Sequence, residues 1–101
     1  MKRFYYEFNK NEYYALIAVS IDGNDSYTKA FKKAIEIYMK NVSGNSIEEV
    51  LQEGSPIETT MEYAFMKFMY ARNNQKRIVQ ELIQEFESVE NGVLLIDGSL
   101  I

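Results

Sequence analysis

Bulky and polar residues alternate at the start of the chain, with Phe4, Tyr6 and Phe8 on one side of an extended segment. Asn9-Lys10-Asn11-Glu12 then reads as a turn, and Tyr13 to Ser20 as a second strand rich in aromatic and β-branched residues. In that strand Tyr13, Ala15, Ile17 and Val19 share one face and Tyr14, Leu16 and Ala18 the other. Both faces are apolar, so the strand is expected to be central or covered twice.

The period changes after Asp22-Gly23-Asn24-Asp25-Ser26, which breaks the strand and offers several helix caps. Tyr27, Phe31, Ala34, Tyr38 and Val42 recur every three or four residues, with Ile35 beside them, and Ser43-Gly44-Asn45 closes that helix. Lys29, Lys32, Lys33, Glu36 and Lys40 fall toward solvent. Ser46-Ile47-Glu48-Glu49 has the form of a capping box and predicts a short helix through Leu51 that stops near Gly54. Ser55-Pro56-Ile57-Glu58 repeats the form and predicts a third helix to about Arg72, with Ile57, Met61, Ala64, Phe65 and Phe68 on its core stripe. Asn73-Asn74 permits a break before an amphipathic stretch carrying Ile78, Val79, Leu82, Ile83, Phe86 and Val89. Whether these are two helices or one bent helix is left open by the pattern. Asn91-Gly92 ends the last helix, Val93 to Ile96 reads as a fully buried strand, and Asp97-Gly98 turns the chain.

The expected fold is therefore α+β: a three-stranded, mainly antiparallel sheet, made of an N-terminal hairpin plus the C-terminal strand. It is packed with three to four helices in the order ββααααβ, as one domain over residues 1–101. A hydrophobic fraction of 47% and a charged fraction of 26% suit a chain that folds on one core. Met1-Lys2-Arg3 is basic, but Phe4-Tyr5-Tyr6-Glu7 is too short and polar for the apolar part of a signal peptide. With no cysteine and no membrane-length apolar run, the sequence reads as cytoplasmic, with no membrane partner.

Composition narrows the chemistry. There is no histidine and no cysteine, which removes Ser-His and Cys-His nucleophile pairs and structural zinc. Asp22, Asn24 and Ser26 imitate the first ligands of a calcium loop, but Tyr27 and Lys33 stand where that loop needs glycine and glutamate. Glu48 and Glu49, or Glu81, Glu85 and Glu87, could in principle hold a metal, and they read instead as solvated helix faces. The expectation is a protein without catalytic residues, metal or cofactor.

A net charge of −4 weighs against nucleic acid, which is recognised through clustered Lys and Arg. Lys29, Lys32, Lys33 and Lys40 nevertheless form a basic helix face, and Arg72, Lys76 and Arg77 a smaller cluster; Tyr5, Tyr14 or Tyr27 could stack on bases beside them. A nucleic-acid-binding regulator is thus the alternative reading, together with a module that sequesters a small ligand. The segment from Met61 to Ala71 is the most informative, because only Glu62 and Lys67 in it are charged. With Met61, Ala64, Phe65 and Phe68 turned to the core, Tyr63, Met66 and Tyr70 form a second stripe that a domain this small has little interior to absorb. Tyrosine and methionine are enriched at interfaces, so that stripe is the expected partner-binding surface.

Stretches such as Arg3-Phe4-Tyr5-Tyr6-Glu7-Phe8, Asn9-Lys10-Asn11-Glu12 and Ala71-Arg72-Asn73-Asn74-Gln75-Lys76 are rich in Tyr, Asn, Lys and Glu in a short chain without Cys, His or Trp. In this the chain resembles small accessory proteins of phages and prophages of low-GC Gram-positive bacteria. That resemblance implies a stoichiometric binder in the host cytoplasm whose partner is a host or defence-system protein, as with anti-CRISPR and other anti-defence inhibitors. Self-association into a homodimer is the second expectation for the same stripe.

Overall fold

Alternating bulky residues from Lys2 to Phe8 and a wholly apolar run from Ala15 to Ile21 build an antiparallel hairpin, β1 (Lys2–Phe8) and β2 (Ala15–Ile21), in register from Lys2 opposite Ile21 to Phe8 opposite Ala15. The computed structural model describes residues 2–23, 26–72 and 78–96. The remaining elements are α1 (Ser26–Asn41), α2 (Ile47–Glu53), β3 (Ile57–Thr59), α3 (Met61–Arg72), α4 (Val79–Ser88) and β4 (Gly92–Ile96). The sheet has four strands in the order β3-β1-β2-β4, and each neighbouring pair is antiparallel. The fold is α+β, but with four strands rather than three and with the order ββααβααβ.

Each face of the sheet carries its own core. On one side Phe4, Tyr6, Phe8, Ala15, Ile17 and Val19 meet Ala30, Ala34, Ile35 and Tyr38 of α1 and Val50 of α2. On the other, Tyr5, Leu16 and Ala18 meet Ala64 and Phe68 of α3, Leu82 and Phe86 of α4, and Leu94 and Leu95 of β4. All seven residues of β2 are buried, as expected of a strand covered on both faces.

The expected third strand is present and pairs with the hairpin, but it is not fully buried. β4 pairs with β2 at the sheet edge, where Leu94 and Leu95 are buried and Val93 and Ile96 only half-buried. The register passes from Leu16 opposite Leu95 to Ile17 opposite Val93, so Leu94 is the extra residue of a bulge. Both leucines thereby join the α3–α4 core. Below the bulge, Ser20 N–H donates to Asn91 Oδ1 at 2.8 Å and Ser20 Oγ donates to the Glu90 carbonyl at 3.0 Å, which ties β4 to β2 where the ladder ends.

Three local expectations are corrected. Tyr13 and Tyr14 belong to the hairpin loop, not to β2. The Tyr38 phenol donates to the Tyr13 carbonyl at 2.9 Å and accepts the Tyr13 N–H at 3.4 Å, so α1 supplies the backbone partners that a ladder would have supplied, and Asn11 Nδ2 ties the loop to α2 by donating to the Val50 carbonyl at 2.9 Å. Ser55-Pro56-Ile57-Glu58 does not start a helix. Ile57 to Thr59 pairs with Tyr5 to Glu7 and covers the outer edge of β1, and the helix begins only after Thr60, whose Oγ1 accepts the Tyr63 N–H at 3.1 Å. As a result Ile57 and Met61, expected in the core, are about half exposed at 48% and 56%.

The glycine stops behave as read. Gly44 has φ +120 and closes α1, and an added Cβ there would lie 2.7 Å from Val50 Cγ2. Gly54 is extended, and its role is close approach: a Cβ would meet Lys10 Cβ at 2.6 Å, so the end of α2 can lie against the hairpin loop. Ser46 caps α2 by accepting the Glu49 N–H at 3.1 Å. Asn24 and Asp25 of the expected cap loop, the Asn73-Asn74 break, Lys76, Arg77, Asp97-Gly98 and Met1 lie outside the described residues. Among those described, no helix is long and apolar enough to cross a membrane.

Tyr6 gives this core a pH limit. Its ring is 2% exposed and meets Phe31 edge-on at 6.1 Å. Burial first, then the charges of Glu58 and Tyr27, push its phenol from 10.0 up to about 12. The folded state therefore holds that proton more tightly than the unfolded chain, so the contribution is complete below pH 10 and fades as pH rises through the interval to 12. Urea melts should show roughly 2–3 kcal/mol of stability lost to this group across that interval. Tyr6→Phe should flatten the slope, and an unchanged slope would refute the assignment.

Candidate interaction surface on the third helix

Helix α3 is apolar nearly all round, and only part of it is used by the fold. Ala64 and Phe68 are buried, Phe65 packs edge-on against Phe86 at 5.1 Å, and Arg72 caps the inner side by pairing with Glu85 at 3.3 Å and lying 5.3 Å from the Phe68 ring. The opposite side carries Glu62, Met66, Met69 and Tyr70, with Met66 53% and Tyr70 85% exposed. Three concavities pass round α3 from the α4 groove to the β4 edge and share their walls. One of about 480 Å³ lies between Met61 and Phe65 of α3 and Ile83 and Phe86 of α4. The next, about 410 Å³, takes in Glu62, Phe65, Met66, Met69 and Tyr70. A third, about 470 Å³, lies between Met66, Lys67 and Tyr70 and the strand end at Leu95 and Ile96, with Tyr14 as its inner wall. Phe65 and Glu62 join the first to the second, and Met66 and Tyr70 join the second to the third. The result is a continuous, mainly apolar strip bordered by the charged Arg3, Glu62, Lys67 and Glu87.

A buried carboxylate anchors the strip to the sheet. Glu7 on β1 is 6% exposed; the Tyr14 phenol donates to its Oε2 at 2.7 Å, and the Tyr63 phenol lies 3.0 and 3.1 Å from its two oxygens. Lys67 Nζ stands 3.9 Å from Glu7 Oε2 and 5.5 and 5.8 Å from the Tyr14 and Tyr63 ring centres. Burial, then the hydrogen bond to Glu7 and its charge, push both phenols upward, so both remain proton donors well above neutrality. Two donors and one cation on a single carboxylate meet the requirement that a buried charge be paired and hydrogen-bonded.

The expected site residues therefore divide. Met66 and Tyr70 lie together on the open side of α3, whereas Tyr63 turns its hydroxyl inward to Glu7 and is half-buried. Of the lysines, Lys29, Lys32 and Lys40 are exposed on α1, but Lys33 is half-buried and donates to the Ser20 carbonyl at 3.2 Å. The tyrosines proposed to stack on bases are dispersed. Tyr5 is buried and stacked on Phe86 at 5.4 Å, Tyr14 is held on Glu7, and Tyr27 packs edge-on against Phe4 at 5.7 Å. Of the acidic residues, Glu85 pairs with Arg72, and no group of three or more acidic residues among those described could hold a metal ion. Glu7 and Lys67 were not singled out as site residues from the sequence, and Tyr14 was singled out only as a possible base-stacking ring, not as a partner of Glu7. The available signal was a carboxylate in a strand whose neighbours Tyr6 and Phe8 are apolar and whose own face, shared with Tyr5, is covered by helices.

The match to known families spans this whole arrangement. The model described as the YosH C-terminal domain aligns with residues 3–95, from β1 into β4. The chain belongs to the YosH C-terminal domain family. YosH is a name of the type given to proteins of Bacillus phage and prophage regions, in keeping with the compositional resemblance to small phage accessory proteins. No curated protein and no solved structure matches the chain. Both Glu7 and α3 fall within the YosH C-terminal domain match.

Proposed function

We propose that the chain acts without catalysis, by stoichiometric binding of another protein through the outer strip of α3, with Met66 and Tyr70 as anchors and Tyr63 holding the helix from beneath. The observation that supports this is the exposure of Met66 and Tyr70 at the junction of two linked concavities. A monomer gains nothing by leaving two large side chains in water, whereas an interface gains contact area from an adaptable thioether and a rigid phenol. Phage accessory proteins of this size commonly occupy a host protein, and a component of a bacterial defence system is the partner class this reading favours.

The test is capture from a bacterial host lysate by the wild type and by Met66→Ser/Tyr70→Ser. Tyr63 is left in place because it serves the fold through Glu7. Loss of two central anchors should weaken binding by about 30-fold or more, while the melting temperature stays near that of the wild type. Undiminished capture by the double variant would refute the proposed surface.

A further inference from the structure

The groove between α3 and α4 holds a polar group that the fold does not use. Tyr5 stands on its floor, 3% exposed, with its ring stacked on Phe86 at 5.4 Å. Its phenol makes no hydrogen bond among the described residues, whereas those of Tyr14, Tyr38 and Tyr63 all find acceptors. A buried hydroxyl left unpaired costs free energy that a partner inside the groove would restore. The concavity measures about 480 Å³, inside the roughly 300–1,000 Å³ of small-molecule sites. Its walls are open: Phe65 is half-buried, and Met61 and Ile83 are 56% and 36% exposed. Two carboxylates, Glu62 and Glu87, stand at the exposed rim, and neither makes an ion pair among the described residues. The cation on the rim is Arg3, whose Nη2 donates to the Glu87 carbonyl at 2.8 Å. Two negative charges thus face one positive.

We propose that this groove binds a small amphipathic amine. A flat apolar body lies against Met61, Phe65 and Ile83, a protonated nitrogen meets Glu62 and Glu87, and a hydrogen-bonding group at the inner end meets the Tyr5 phenol. Depth orders these contacts, because the phenol is buried and the carboxylates are exposed. The apolar walls supply contact area, the phenol fixes orientation and the rim selects charge. An anion of the same shape would face two like charges and one opposite charge. Met66 and Tyr70 do not line this groove, so the site is separate from the anchors of the protein-binding surface.

Tyramine is the probe, with phenethylamine lacking its hydroxyl and phloretate carrying a carboxylate in place of its amine. NMR titrations followed on the methyl signals of Met61 and Ile83, with Met39 on the far face as control, read the groove directly. Tyramine should shift both signals with a Kd of about 1 mM or tighter, and phloretate should bind at least about tenfold more weakly. Tyr5→Phe removes a hydroxyl that has no partner in the protein, so the melting temperature should hold. That variant should bind tyramine about three- to tenfold more weakly and phenethylamine unchanged, a split that a merely structural role would not produce. Glu62→Gln/Glu87→Gln should erase the preference for tyramine over phloretate, and Arg3→Gln should enlarge it. Met61 and Ile83 signals that stay fixed up to about 10 mM tyramine, or equal binding of tyramine and phloretate by the wild type, overturn the proposal. So does a Tyr5→Phe variant that binds all three probes as the wild type does.

Discussion

Phe86→Ala should cost about 3–5 kcal/mol in urea denaturation, enough to leave the protein largely unfolded if its total stability lies at the low end of the ordinary range. Phe86 is 3% exposed and is the meeting point of three elements. Its ring stacks on Tyr5 of the sheet at 5.4 Å and contacts Phe65 and Phe68 of α3 at 5.1 and 5.6 Å. Truncation removes the transfer free energy of a large ring and leaves a cavity walled by other rings, which cannot collapse without moving a helix. Phe86→Leu should cost clearly less, because it keeps much of the volume. A loss below about 1 kcal/mol for the alanine variant would mean that α4 is not docked as described.

The second large effect is expected at Glu7. Glu7→Leu should destabilise by about 2–4 kcal/mol, because two phenols and an ammonium lose the one acceptor they share inside the protein. Combining it with Tyr14→Phe and Tyr63→Phe should recover most of that loss, since the two phenols that needed the acceptor are gone and the Lys67 side chain, 40% exposed, can turn to water. The strength of the test is this non-additivity. Equal destabilisation by the single and triple variants, measured in the same urea titrations, would show that Glu7 matters for some reason other than its partners. Glu7→Gln should fall between, since an amide oxygen still accepts from a phenol but carries no charge for Lys67.

Much of the architecture could be read from periodicity because the two faces of β2 carry different partners. Ala15, Ile17 and Val19 were separable from Leu16 and Ala18 by alternation alone, and the helices on each side follow from stripes such as Ala34 and Tyr38 or Leu82 and Phe86. The hidden element was β3. Ser55-Pro56-Ile57-Glu58 satisfies the local rule for a helix start, yet Tyr5 to Glu7 needed an edge partner, and pairing across the chain outweighed the local preference. Thr59-Thr60, a β-branched pair ahead of Met61, was the one local sign that the helix begins later. Met66 and Tyr70 were legible because a helix apolar on every side in a small domain has to expose some of itself. Tyr63 was misplaced because its direction is set by Glu7, fifty-six positions earlier in the sequence, which no helical wheel contains.

If the open side of α3 is where this protein meets a partner, its methionines report on that directly. Met61, Met66 and Met69 lie on α3, while Met39 lies on α1 and packs against the core on the far face of the sheet. With methyl-labelled methionine, NMR titration of the wild type with its captured partner should shift and broaden the Met66 and Met69 signals and leave Met39 in place. Movement of Met39 with Met66 and Met69 stationary would contradict the account.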